Sequence, residues 1–486
     1  MLLTGGNVMH ESQPEKDRSR LSRRGFLGGC TACASLLGMA NVLPQRTYAS
    51  PVHLTIPDYR KPKIRLVFAY PSPEGPIWPN IGYDFESEKH AFLQVLNSAC
   101  PDIDFLPVTA MNNDDGHKIV KMTDNVDGYL VYMAGCLWGD VPDTIASTGK
   151  PMALVDNLYA GSGEFLTAYA RLKRQGMKII PVSSSQMDDV VNAARGLSCL
   201  NRLKSSTILV VGNKADKVIT DTYGTHVKEV SFEEMTEAYN AADKEKTRET
   251  GESWIKEAYR VIEPNRDEII RSAAMYVAMR DLLNSYGAQA ITINCLGGIY
   301  SGRMKTSYPC LGFMQLDNDG YVGACEADQR STMTKLIMTW LTGQPGFISD
   351  PVIDTAKNRI IYAHCVSTTR VWGPDGPANP YHIRDHSEDR KGACNRSLMP
   401  LGEMTTTILF DHNKKQVIRH QGVTVENVDD DRACRTKLAV EVKGDIDKLL
   451  TYWDEWGWHR VTFYGDLKRR VSDIATLLDF EVVDEA

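Results

Sequence analysis

Acids and imidazoles stand in segments of this chain that otherwise read as apolar. Glu326 and Asp328 follow Tyr321-Val322-Gly323-Ala324-Cys325, Asp350 follows Phe347-Ile348-Ser349, His364 follows Ile360-Ile361-Tyr362-Ala363, and His459 precedes Arg460-Val461-Thr462-Phe463-Tyr464. A carboxylate in an apolar strand is costly to bury unless it is paired or binds a metal. Carboxylate plus imidazole is the donor set of hard or borderline divalent ions such as Mn²⁺, Fe²⁺ or Mg²⁺, and a thiolate-free set argues against a structural zinc cage. The chemistry indicated is therefore metal-assisted. Plainer readings stand beside it. Asp350 precedes Pro351, a pairing common in turns. His364 equally suits a core histidine bonded to backbone. Asp328 reads as a helix N-cap or as a partner behind a ligand, and Cys325 and Cys365 read as small core residues.

The elements that must carry these residues alternate. Ile64-Arg65-Leu66-Val67-Phe68-Ala69-Tyr70, residues 128–133, 151–156 and 178–182 read as buried strands, with helical patterns over 86–99, 164–175 and 188–203. Such alternation predicts a parallel sheet covered on both faces. A second unit opens with a strand over 207–212. Gly212 is followed by Asn213-Lys214-Ala215-Asp216, so the glycine-rich phosphate turn of dinucleotide-binding folds is missing, which disfavours a nicotinamide enzyme. Residues 232–286 predict two long helices broken near Pro264, leading to a strand over 290–295 whose end delivers a loop to the carboxyl edge of the sheet. A helix over 330–341 can bring Asp350 back beside Glu326. Strands over 405–410, 437–442 and 461–464 complete a C-terminal α+β region. The Gly- and Pro-rich stretch 373–398 carries His382, Arg384, His386 and Arg396 and reads as a lid or rim loop, whose polar residues either bind substrate or are merely solvated.

At 486 residues, with ordinary apolar and charged fractions, the chain has material for two or three packed domains. A formal net charge of -7 and the lack of an extended basic stripe argue against a nucleic-acid partner. Ser22-Arg23-Arg24-Gly25-Phe26-Leu27, the modest apolar run that follows, and Thr47-Tyr48-Ala49-Ser50 read as a twin-arginine export signal over 1–49. Leu27-Gly28-Gly29-Cys30 offers lipidation as an alternative. No long apolar run follows residue 50, so no stable membrane insertion is expected after cleavage. Cys30 and Cys33 of the eleven cysteines fall in the signal, and the rest are scattered without paired spacing.

From about residue 232 onward the sequence resembles the L-fucose isomerase and L-arabinose isomerase superfamily, particularly its shorter fucose-isomerase-like members. The pieces that carry the resemblance are Ile293-Asn294-Cys295-Leu296, Cys325-Glu326-Ala327-Asp328, Leu341-Thr342-Gly343-Gln344-Pro345 before Asp350, Ala363-His364-Cys365, Pro400-Leu401-Gly402-Glu403-Met404-Thr405 and Trp458-His459-Arg460-Val461-Thr462-Phe463. The resemblance implies two Rossmann-like α/β domains, 50–205 and 206–345, followed by a barrel-like α+β domain, 346–486. It also implies a Mn²⁺ or similar ion on Glu326, Asp350 and His459, with His364 as a further ligand. Glu326 and Asp350 would be the catalytic acids that interconvert an aldose and a ketose through an enediol. A monosaccharide or derivative is the implied partner, for which His386 and Arg396 of the 373–398 loop are candidate contacts; family members are oligomers with interfacial sites, so in a homo-oligomer Trp138 suits either a neighbour's sugar or interface packing. Two departures stand out, the export signal and a shorter first region. A non-catalytic exported sugar-binding protein on the same fold is the alternative.

Overall fold

The computed structural model describes residues 60–122 and 125–486; the expected signal, with Cys30 and Cys33, lies outside them. Strands β1 (Lys63–Ala69), β2 (Asp104–Ala110), β3 (Gly128–Met133), β4 (Met152–Asp156) and β5 (Ile179–Val182) form a parallel sheet in the order β2-β1-β3-β4-β5. β3 and β4 are buried along their whole length, which explains their unbroken apolar runs. The strand reading missed β2, where Pro107 and half-exposed residues interrupt the pattern. As an edge strand, β2 tolerates a residue that cannot donate to the ladder.

The second parallel sheet begins with β6 (Thr207–Val211) and β7 (His226–Val230). The stretch expected as two helices holds three, Phe232–Ala241, Lys244–Glu257 and Arg266–Tyr286, with the short strand β8 (Arg260–Val261) before Pro264. Asp243 makes the extra break by accepting the Lys246 N–H at 2.8 Å as an N-cap. β9 (Ala290–Ile293) and β10 (Val322–Cys325) complete the order β10-β9-β6-β7. The carboxyl end of β10 is where Glu326 begins.

The C-terminal region adds β11 (Phe347–Asp354), β12 (Arg359–His364), β13 (Tyr381–Arg384), β14 (Cys394–Ser397), β15 (Met404–Asp411), β16 (Gln416–Asn427), β17 (Thr436–Lys443), β18 (Arg460–Tyr464) and β19 (Glu481–Asp484). Antiparallel pairing in the order β15-β18-β11-β12-β17-β16, with β16 returning to β15, closes a six-stranded barrel. Phe347, Ile360, Tyr362, Leu438, Val440 and Tyr464 help fill its core. The stretch 373–398 is not one loop: β13 and β14 form a hairpin inside it, and β13 pairs with β8. No helix among the described residues is long and apolar enough to cross a membrane.

Two buried ion pairs fix the elements around the site. Lys335, on helix Gln329–Thr342, is wholly buried with Asp317; its ammonium donates to both carboxylate oxygens at 2.9 and 2.7 Å and to the Gly323 carbonyl at 2.6 Å. Asp317 also accepts the Gly323 N–H at 3.0 Å, so the pair ties the helix to β10. Arg460, at the start of β18, pairs with buried Glu485 at 3.2 Å and donates to the Trp453 carbonyl at 2.9 Å. Removing one partner of such a pair strands the other charge. Lys335→Met is expected to cost about 3–5 kcal/mol in urea unfolding, and a double change that also makes Asp317 apolar should recover most of that loss.

Candidate functional site

Glu326 leaves β10 with φ 61°, and Ala327 follows with φ 52°. Two successive non-glycine residues in the left-handed region cost on the order of 1–3 kcal/mol each, so the surrounding structure must hold them. It does so on both sides. The Ala327 N–H donates to the Ile293 carbonyl at 3.0 Å. Asp328 caps helix Gln329–Thr342, its Oδ1 accepting the Arg330 and Ser331 N–H groups at 3.0 and 3.1 Å. The turn points the Glu326 carboxylate out of the sheet, where its side chain is 37% exposed.

The barrel supplies the other groups. Asp350 is not in a turn: it lies in β11 opposite Ala363 of β12, next to His364 at that strand's end. His459 precedes β18, after Gly457 in a positive-φ conformation where a Cβ would meet the Arg330 guanidinium at 2.1 Å. The helix cap and the barrel meet in one contact, His459 Nδ1 donating to Asp328 Oδ2 at 3.0 Å. His459 Nε2 then lies 3.1 Å from Asp350 Oδ1 and 3.6 Å from Glu326 Oε2, yet it has no hydrogen-bond partner. The Trp458 indole N–H donates to Asp350 Oδ1 at 2.7 Å. Nitrogen or oxygen donors of Asp350, His364 and His459 all lie within 4.8 Å of one another, a possible metal-binding group.

His364 differs from His459 in tautomer. Its Nδ1 accepts the Cys365 N–H at 2.9 Å, which places the proton of the neutral ring on Nε2, 3.9 Å from Glu326 Oε1. In this arrangement His364 is a donor toward the cavity, and a ligand role would require it to exchange tautomer. Burial holds its proton affinity below the ordinary value. For His459 burial acts the same way but is outweighed by the carboxylates of Asp328 and Asp350, which raise it to about 10. Burial opposes ionisation of Asp328 too, yet His459 and the Ser331 donors bring it down to about 2. Asp350 is likewise held below the usual carboxylate range, against its burial, by His459, His364 and Trp458.

These groups open on a cavity of about 410 Å³ lined in part by Glu326, Asp350, His364, His386, Glu388 and Trp458. His386 stacks on Tyr308 with ring centroids 5.1 Å apart. Arg396 is outside the lining, paired with Asp429 at 2.7 Å, and Trp138 stands 68% exposed on the first α/β unit. Cys295, Cys310, Cys325, Cys365 and Cys434 also line the cavity, five of the nine described cysteines. Their spacing along the chain carried no sign of this gathering.

No family model matches the chain. Over 281 residues it is 24% identical to a sulfoquinovose isomerase of Clostridium sp. (strain MSTE9), a match covering 56% of this chain and 60% of that protein. Over 311 residues it is 22% identical to sulfoquinovose isomerases of Priestia aryabhattai and Priestia megaterium (strain ATCC 12872 / QMB1551), covering 60% of this chain and 66% of each. The chain thus spans between 60% and 66% of the length of these relatives.

The His459 and Asp328 shifts set a pH window for the metal-free protein. His459 gains proton affinity on folding, so its contribution to stability is complete below its ordinary value of 6.5 and is lost as pH rises through about 10. Asp328 loses proton affinity, so its contribution is present above 3.8 and is lost as pH falls through about 2. In metal-free protein the His459 ring resonances should titrate near pH 10, and Asp328→Ala should lower that midpoint by at least about one unit.

Proposed function

We propose that this chain is a divalent-metal-dependent aldose-ketose isomerase acting on a monosaccharide outside the cytoplasm. One observation carries the reading: Glu326 Oε2 and Asp350 Oδ1, remote in sequence from His459, lie 3.6 and 3.1 Å from its Nε2, in a chain similar to proteins named sulfoquinovose isomerases. The donor set fits an ion such as Mn²⁺, since His459 has Nδ1 held by a carboxylate and Nε2 buried without a partner, the orientation a metal-ligating imidazole adopts. Glu326, Asp350 and His459 would hold the ion, joined by His364 after tautomer exchange. When bound, it supplies Lewis-acid stabilisation of the negative charge that develops on the two sugar oxygens.

The remaining roles belong to the chain. Glu326 reaches furthest into the open cavity and carries the carbon-bound proton from C2 to C1, leaving an enediol between the two steps. Asp350, kept ionised by its neighbours, and His364, with Nε2–H facing the cavity, exchange the hydroxyl protons. His386 on Tyr308 offers a fixed polar edge to the sugar. Among the described residues the lining holds three carboxylates, Glu326, Asp350 and Glu388, and neither lysine nor arginine, which favours an uncharged monosaccharide over a sulfonated one. In a homo-oligomer, the exposed Trp138 is available to stack on a sugar in a neighbouring copy. Export by the twin-arginine route would set the reaction outside the cytoplasm.

The test is ketose formation by the purified chain from a panel of neutral aldoses, stopping with chelator and returning with Mn²⁺. Glu326→Gln should lower kcat by about 10²–10⁴-fold while the sugar still binds in calorimetry. Sugar binding without ketose formation in the unaltered, metal-loaded chain would favour the non-catalytic alternative instead. Because His459 holds a proton at neutral pH, Mn²⁺ binding should release about one proton per ion, seen as a dependence of the binding enthalpy on buffer ionisation, and should tighten as pH rises toward 10.

A further inference from the structure

Of the thiols around the cavity, those of Cys295 and Cys325 are buried, as core residues are, but they also touch each other. Cys295 Sγ and Cys325 Sγ lie 3.2 Å apart, bringing together the first residue of helix Cys295–Tyr300, which follows β9, and the last residue of β10. Cys325 is the residue before Glu326, and its Sγ, a Glu326 oxygen and a His364 nitrogen all lie within 4.8 Å of one another. His364 is 2% exposed and its Nε2 has no hydrogen-bond partner. The Glu326 side chain, 37% exposed, leaves a path from solvent to this point.

We infer that the cavity holds a second, soft metal position, built from Cys325, Glu326 and His364 with Cys295 as the fourth donor, which takes a thiophilic divalent ion such as Zn²⁺ or Co²⁺. Two sulfurs, one nitrogen and one oxygen form the donor mixture that a borderline-soft ion prefers in four-coordinate geometry, whereas Mn²⁺ and Mg²⁺ favour oxygen-rich sets. Binding there releases the two thiol protons. His364 coordinates through Nε2 by moving its proton to Nδ1, which gives up the Cys365 N–H hydrogen bond. His364 belongs to both sets of donors within 4.8 Å, with Asp350 and His459 on the hard side and with Cys325 and Glu326 on the soft side, and Glu326 Oε2 also lies 3.6 Å from His459 Nε2. Because both positions draw on the His364 imidazole, and the proposed hard one on Glu326 as well, the two ions exclude each other, and a thiophilic ion takes Glu326 away from the sugar. The inference does not need the isomerase reading: the soft site stands or falls on its ligands, whether or not any sugar is turned over.

The test is Co²⁺ titration of the full chain, kept reduced, with absorption spectroscopy. A thiolate-to-cobalt charge-transfer band that saturates at one ion per chain is expected. Zn²⁺ should displace it, and stoichiometric Zn²⁺ should weaken Mn²⁺ binding, followed by the electron paramagnetic resonance of free Mn²⁺, by at least about tenfold. Cys325→Ser should lose the band and lower Zn²⁺ affinity by about 100-fold or more while leaving Mn²⁺ affinity within a few-fold; Asp350→Asn should do the reverse. Cys295→Ser provides a second variant, expected to halve the band's intensity, should Cys325→Ser fold poorly. Absence of a charge-transfer band in the unaltered chain would overturn the inference, as would a band that survives both cysteine substitutions, or Zn²⁺ and Mn²⁺ binding together without mutual weakening. A thiol count showing Cys295 and Cys325 joined as a disulfide in the folded reduced protein would overturn it equally.

Discussion

The contact between Asp328 and His459 is the constraint on which the rest of the site depends. One carboxylate does two jobs. Its Oδ1 accepts the first free N–H groups of helix Gln329–Thr342, and its Oδ2 takes the proton of His459 Nδ1. The second parallel sheet is thereby joined to the barrel at the point where the two imidazoles and two further carboxylates gather. A buried imidazole with one nitrogen held this way has its other nitrogen aimed, and the aim decides that His459, not His364, presents a ready lone-pair direction once its Nε2 proton leaves.

Such a cluster is expensive to assemble, and the cost is met in its surroundings. Two residues stand in left-handed conformations, and several charges lie out of reach of water. Lys335 with Asp317 fixes β10 from one side, and Arg460 with Glu485 fixes β18 from the other. In these two pairs each charge meets an opposite one, and Lys335, Asp317 and Arg460 also bond backbone groups, which is the condition under which burial of charge is tolerated. Glu485 shows the result: although burial opposes its ionisation, Arg460 and His420 hold it at about 2. The scaffold is therefore anchored around the cluster, and its most exposed member is Glu326, the one the proposed chemistry would present to a substrate.

Hard and soft donors share this cavity. Oxygen and imidazole donors come from the barrel mouth and the turn after β10, while the Cys325 thiol comes from the end of β10 and that of Cys295 from the start of the helix after the adjacent β9. Glu326 stands between the two sets. With such a mixed donor set, ion preference would follow from which donors are deprotonated and which ions are present, rather than from a cage of fixed size.

Much of this was legible along the chain. Unbroken apolar runs marked the buried strands, and the incongruity of Glu326, Asp350, His364 and His459 inside apolar segments marked the ligand candidates, because burying a charge without a partner is too costly to occur idly. Pro107 hid an edge strand, since a proline is tolerated there but reads as a break, and Pro351 disguised β11 as a turn. The hairpin within 373–398 was hidden by its glycines and prolines, and its pairing with β8 is a long-range choice that local composition does not encode. Residue type alone thus determined which side chains were out of place and what donors they offered. Distances, tautomers and the gathering of five thiols were decided by tertiary structure, because closing a barrel against the edge of a parallel sheet brings together residues more than a hundred positions apart, and no periodicity along the chain records that closure.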